Sequence, residues 1–270
     1  MLSPPLSLLR PAAAIALGLW VAPQAAVAQL NFSTPELSAP GGREASDRST
    51  CVITSGSPLT AVLPETNAGV TLQAQPTLFV YVPRNNAQQG ELRMREEDTD
   101  VEVLAAAVDL PLSIAPGDYQ YGPAIAALSL QEAAIAPEQV YRWTFTLVCD
   151  PGDRSQDVAV SGLLLRVGEG YLSRLDPALQ PLAPGSPSGP ASGPASGPAD
   201  ATAESRSEST AAALQAYGEA GVWHDLIALL VGLAAADPSY TAELAQLLTA
   251  QGLEAIANSS VVPVEMKPLP

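Results

Sequence analysis

The sequence predicts a mainly β protein: an antiparallel β-sandwich, then a flexible linker and a C-terminal α-helical module. Three observations carry that prediction. Tyr141, Trp143, Phe145, Leu147 and Cys149 fall on every second position of one run, so a strand places all five side chains on one face. Short apolar runs bounded by turn residues recur on either side of it, about seven to nine in all, which suits two packed antiparallel sheets. After about residue 176 the pattern gives way to Pro, Gly, Ser and Ala, and then to apolar residues at helical spacing.

At the N-terminus, Arg10, an apolar stretch over 11–22 and Ala26-Val27-Ala28 before Gln29 read as a secretory leader over 1–28. The apolar part is broken at Pro23 and falls short of the ~20 residues of a spanning helix. The expected product is an exported protein, periplasmic or extracellular, with no membrane span after cleavage. Residues 29–50 are rich in Pro, Gly, Ser and Thr without apolar periodicity, which predicts a mobile lead-in.

The sandwich is expected over 51–175. Cys51–Thr54 and Leu59–Leu63 are candidate strands, and Leu78–Val82 between Pro76 and Pro83 reads as a strand covered on both faces. Leu92 and Met94 alternate with Glu91, Arg93 and Arg95, a strand with one wet face. The polar run Asn85–Gly90 is expected to join it to the preceding strand as a hairpin. Glu96–Asp100 turns the chain into Val101–Val108, Pro111–Gly122 is irregular, and Ala124–Leu130 is a further strand. Tyr141–Cys149 and Val158–Val167 close the set, joined by a Pro-Gly and Asp-rich turn. The architecture is immunoglobulin-like without homology, since Trp143 shares a strand and face with Cys149, and Leu147 stands where a corner Tyr would sit.

Ser-Gly-Pro-Ala occurs three times over 188–199 inside a linker spanning 176–210, a composition that supports neither helix nor ladder. Helices are expected at Ala211–Ala220, Val222–Ala236 and Ser239–Ala250 within a module over 211–258, with a tail over 259–270. Val222, Leu226, Leu229, Leu230 and Leu233 make one stripe on the middle helix. The spacing of Tyr217, Gly221, Trp223, Leu226, Leu230 and Pro238 resembles a single tetratricopeptide hairpin, one unit where such arrays need about three.

The ordered string of Ala39-Pro-Gly-Gly-Arg43, Cys51, Leu63-Pro-Glu-Thr-Asn67, Pro76–Pro83, Tyr141–Cys149 and Gly221-Val-Trp-His-Asp225 resembles the cyanobacterial domain of unknown function 928 family, over roughly residues 39–260. The resemblance implies a secreted cyanobacterial protein and supplies no catalytic residue.

Two cysteines in an exported chain are expected to pair as Cys51–Cys149. Closing a loop of about 100 residues contributes up to about 4–5 kcal/mol in the chain-entropy account. The formal charge of −16 repels nucleic acid and anionic lipid. A Ser-His-Asp arrangement needs an imidazole, and the sole histidine, His224, reads as a helix-surface or interface residue. No phosphate loop, nucleophile elbow or zinc spacing is present, so no cofactor is expected. Asp150, Asp153 and Asp157, and the cluster Glu96, Glu97, Asp98, Asp100 and Glu102, offer oxygen ligands for calcium. Neither matches a twelve-position calcium loop, and solvated turns are the plainer reading.

The expected function is therefore a non-enzymatic binding or structural module of the cell envelope. Its partner would be an envelope protein or cell-wall component, met by a sheet edge or by Trp223, Leu226 and Leu230 on the helical module. The rival is a calcium- or carbohydrate-binding envelope protein, or a carboxylate-based hydrolase, with the 150–157 loop lining its site.

Overall fold

The computed structural model describes residues 30–34, 36–40, 42–45, 51–52, 56–110, 123–131, 135–168, 171 and 203–269, the side chains of 203–209 excepted. The leader, the irregular stretch 111–122 and residues 176–202 of the expected 176–210 linker lie outside them; its last residues, 203–210, are corrected to helix. Two open sheets form. The smaller has the order β1 (Thr60–Ala61), β3 (Thr77–Val82), β6 (Ala124–Ser129) and β9 (Val261–Pro263). The larger has the order β10 (Met266–Pro268), β5 (Glu102–Val108), β4 (Gln89–Glu96), β7 (Gln139–Val148), β8 (Val158–Arg166) and β2 (Ala68–Thr71).

The alternation in β7 does what its period requires. Tyr141, Trp143, Phe145 and Leu147 are buried while Arg142 is exposed. Phe145 stands between Leu92 and Val160, and Trp143 between Met94 and Gly162. A side chain at 162 would run into Leu63 and the Trp143 ring, so the large indole is matched by an absent one. The acidic turn after β4 closes the β4–β5 hairpin, with Asp100 at a φ of 56°.

Several expectations are corrected. Asn85–Gly90 does not close a hairpin, because β3 and β4 belong to different sheets. Pro83 lacks an N–H to continue a ladder, and buried Asn85 turns the chain by donating to Pro83 O at 2.8 Å and accepting from Ala87 N at 3.0 Å. The sheets are mixed: β2 runs parallel to β8, and β9 parallel to β6. Strand β2 is a four-residue Ala-Gly-Val-Thr run, too short for a periodicity signal. Cys51–Thr54 reduces, where described, to a single bridge between Val52 and Asn85. The described part of the lead-in is anchored: Ser33 N donates to Gly218 O, Ala39 N to Thr66 O and Ala45 N to Leu59 O, each at 2.9 Å. The expected tail supplies an edge strand to each sheet, both short and Pro-containing, as edges tolerate.

Helices α1 (Ala203–Glu219), α2 (Trp223–Ala234) and α3 (Ser239–Ala250) follow the linker. Gly221, at a φ of 68°, ends α1 in the left-handed conformation that suits glycine. Helix α2 touches β2 of the larger sheet and β3 of the smaller one, so it fills the open side of the sandwich. One apolar core takes residues from both sheets and all three helices.

Candidate functional site at the seam between helix and sandwich

Cys51 and Cys149 form the disulfide, with Cα atoms 5.5 Å apart and a sequence separation of 98. The aspartates after it do not converge. Asp150 accepts from Gly152 N at 2.8 Å, Asp153 from Ser155 N at 3.0 Å and Asp157 from Cys149 N at 3.0 Å. Arg154 pairs with Asp157 and reaches both carboxylate oxygens of Glu91, at 3.1 and 3.0 Å. Each acid thus serves a local turn or an ion pair. Among the described residues no group of three His, Cys, Asp or Glu is placed to hold a metal ion. The cluster at 96–102 is divided in the same way, Glu97 going to Arg142 and Asp100 and Glu102 to Arg95 and Arg93.

The residues that do converge come from the ends of the chain. Trp223 is fully buried and donates Nε1–H to Val62 O at 2.8 Å. Phe32 meets its ring edge-on, centroids 5.0 Å apart. Arg43 donates to Leu63 O at 2.8 Å and to Gln251 O at 2.6 Å, satisfying a carbonyl at the end of α3 that has no helical partner. Leu226 and Leu230 are also wholly buried. The partner-facing stripe of Trp223, Leu226 and Leu230 is therefore corrected: it is the chain's own core, because α2 enters the sandwich apolar face first.

His224 and Asp225 follow Trp223 into that seam, so His224 is not a surface residue. The imidazole lies over Gly69, where a Cβ would overlap Nε2. Among the described residues neither ring nitrogen has a partner in hydrogen-bonding geometry. Burial pushes the imidazole down to about 4, with the Thr77 backbone acting the other way. Asp225 Oδ2 accepts from Thr71 Oγ1 at 2.6 Å and Leu72 N at 3.2 Å, while Oδ1 has no hydrogen-bond partner among the described residues. Burial raises this carboxyl to about 6 against those hydrogen bonds. Tyr217 on α1 is raised to about 12, by burial first and the Asp225 charge second.

Outside the seam, Leu30, Asn31 and Phe32 face Glu243, Ala245, Gln246, Leu247 and Thr249–Gln251 of the α3 region across a groove of about 770 Å³. Phe32, whose ring meets Trp223 edge-on, is part of its lining. The described lining contains one carboxylate and no Lys or Arg. Burial, and then Asp237, raise the Glu243 carboxyl from its ordinary value.

The strands behind this seam, with Arg43 and the Leu63–Asn67 run, fall within a match to the family model Domain of Unknown Function (DUF928) over residues 43–182, while Phe32 and Trp223–Asp225 lie outside it. The match covers more than half of the chain. This protein belongs to the DUF928 family. No curated protein and no solved structure matches it. In this DUF928 chain the match ends before α1, yet α2 completes the core of the matched region. Phe32, Arg43, Gly69 and Thr71 were absent from the sites expected from sequence. Arg43 sits in the Ala39–Arg43 motif, and that was the available signal. Phe32, Gly69 and Thr71 carried none, since their roles depend on a helix about 150 or more positions away.

Proposed function

We propose that this DUF928 protein is an exported, non-enzymatic binding protein of the cell envelope, and that it recognises its partner in the groove between residues 30–32 and α3. The occupant is an extended segment of an envelope polypeptide with a basic side chain. The groove's charge is the observation that carries this reading: Glu243 faces it with Asp237 nearby and no cation in the described lining. A Lys or Arg ammonium or guanidinium would relieve that repulsion while its neighbours lie over Leu30, Phe32 and Leu247. The Phe32–Trp223 contact ties one lining residue of the groove to the core, an aromatic pair worth about 0.5–1.5 kcal/mol beyond burial.

A non-enzymatic role is supported by the sealing of the sole imidazole and by the engagement of the loop aspartates in turns. Export is supported by the sequence leader and by a disulfide of the kind that persists in oxidising compartments. Among the described residues no helix is long and apolar enough to cross a membrane.

Fluorescence anisotropy with labelled Ala/Leu peptides carrying either one Lys or one Glu tests the reading. The Lys peptides bind saturably, and Glu243→Gln weakens them about two- to fivefold, as for a partly exposed ion pair. Equal binding of both peptide sets, or none to the folded protein, removes the groove as the recognition surface.

A further inference from the structure

His224 and Asp225 are consecutive, both buried, and both belong to the first turn of the helix that closes the sandwich. Their surroundings are built for them. Gly69 leaves room for the imidazole, and Thr71 with Leu72 N holds one carboxylate oxygen at the end of β2. The groups facing the pair from other elements are Tyr217 of α1, the Gln73 side chain after β2 and the Thr77 backbone of β3. Arg166 of β8, register partner of Thr71, directs Nη1 to Ile135 O at 2.8 Å. The pair thus has no cation bonded to it among the described residues.

We propose that His224 and Asp225 act as a counterpoised proton pair that keeps the docking of α2 on the sandwich insensitive to mild acidification. The balance follows from linkage. His224 binds its proton less readily folded than unfolded, so its contribution is complete above its ordinary 6.5 and is lost as pH falls towards about 4. Asp225 binds its proton more readily folded, at about 6 rather than 3.8. Its burial penalty is absent at low pH and grows as pH rises through that window. Between about 4 and 6 each residue alone changes the folding equilibrium about tenfold per pH unit, in opposite directions. As the unfolded chain takes up a proton on His224, the folded chain takes one up on Asp225, and the difference in bound protons stays near zero.

The test is denaturant unfolding of the full, disulfide-intact chain at steps between pH 4 and 6.5, for wild type, Asp225→Asn and His224→Gln. Relative to wild type, Asp225→Asn gains about tenfold in folding constant per unit of rising pH, and His224→Gln gains about tenfold per unit of falling pH. Two flat or parallel difference curves overturn the proposal. If a variant does not fold, the single imidazole resonance of the wild-type protein decides. Constancy from pH 7.5 to 5 supports the pair, and a midpoint near 6.5 overturns it.

Discussion

The outer face of the larger sheet and the α2 seam handle charge in opposite ways. On the face, Asp100, Arg95, Glu102, Arg93, Glu91, Arg154 and Asp157 form one chain of alternating ion pairs from the β4–β5 turn to the disulfide loop. Most of these side chains are half exposed, with Glu91 and Asp157 the sheltered exceptions, so water screens most of the pairs and little stability depends on an exposed one. In the seam a single carboxylate and a single imidazole are buried, and neither has an ionic partner among the described residues. Few charges in the right place therefore govern the fold more than many on the surface. Desolvation sets the scale, and the number of charges does not.

The sharpest way to break this contrast is Trp223→Ala, which empties the seam's largest volume and leaves Val62 O without its donor. A loss of about 3–5 kcal/mol in denaturant unfolding is expected. Gly69→Ala forces a Cβ against the imidazole without removing anything, and overpacking of this kind costs about 1–3 kcal/mol. Thr71→Val removes a donor to ionised Asp225. The loss is about 1–3 kcal/mol at pH 7.5 and shrinks below pH 6 as the carboxyl takes up its proton, which paired melts at pH 7.5 and 5 will read. Smallest is Arg93→Ala on the exposed face, expected to cost about 0–1 kcal/mol and less in 1 M salt. A surface variant more damaging than the Gly69 variant would reverse the comparison.

The two regions also differed in how far their sequence revealed them. Arg93 and Arg95 alternate with Leu92 and Met94, so both the wet face and the buried one follow from local period. The β7–β8 pair, the β4–β5 turn and the stripe on α2 were legible for the same reason. The seam was not, because Val62, Gly69 and Thr71 look ordinary until α2 is placed over them. Reading Trp223, Leu226 and Leu230 as a partner surface followed from the stripe alone, and a stripe does not say which molecule covers it. The β3–β4 hairpin failed similarly: polar spacing shows that the chain turns, but the sheet it turns into is set elsewhere.

By itself the sequence determined the mainly β character, the strands with clear alternation, the cysteine pairing and the helical end of the chain, since each rests on neighbouring residues or on the presence of two thiols. Tertiary structure alone decided that two strands run parallel to their neighbours, that the last residues edge both sheets, and that α2 seals His224 and Asp225 inside. Those outcomes depend on which apolar faces meet across the whole chain and on how much water is expelled when they do, and no local pattern encodes either.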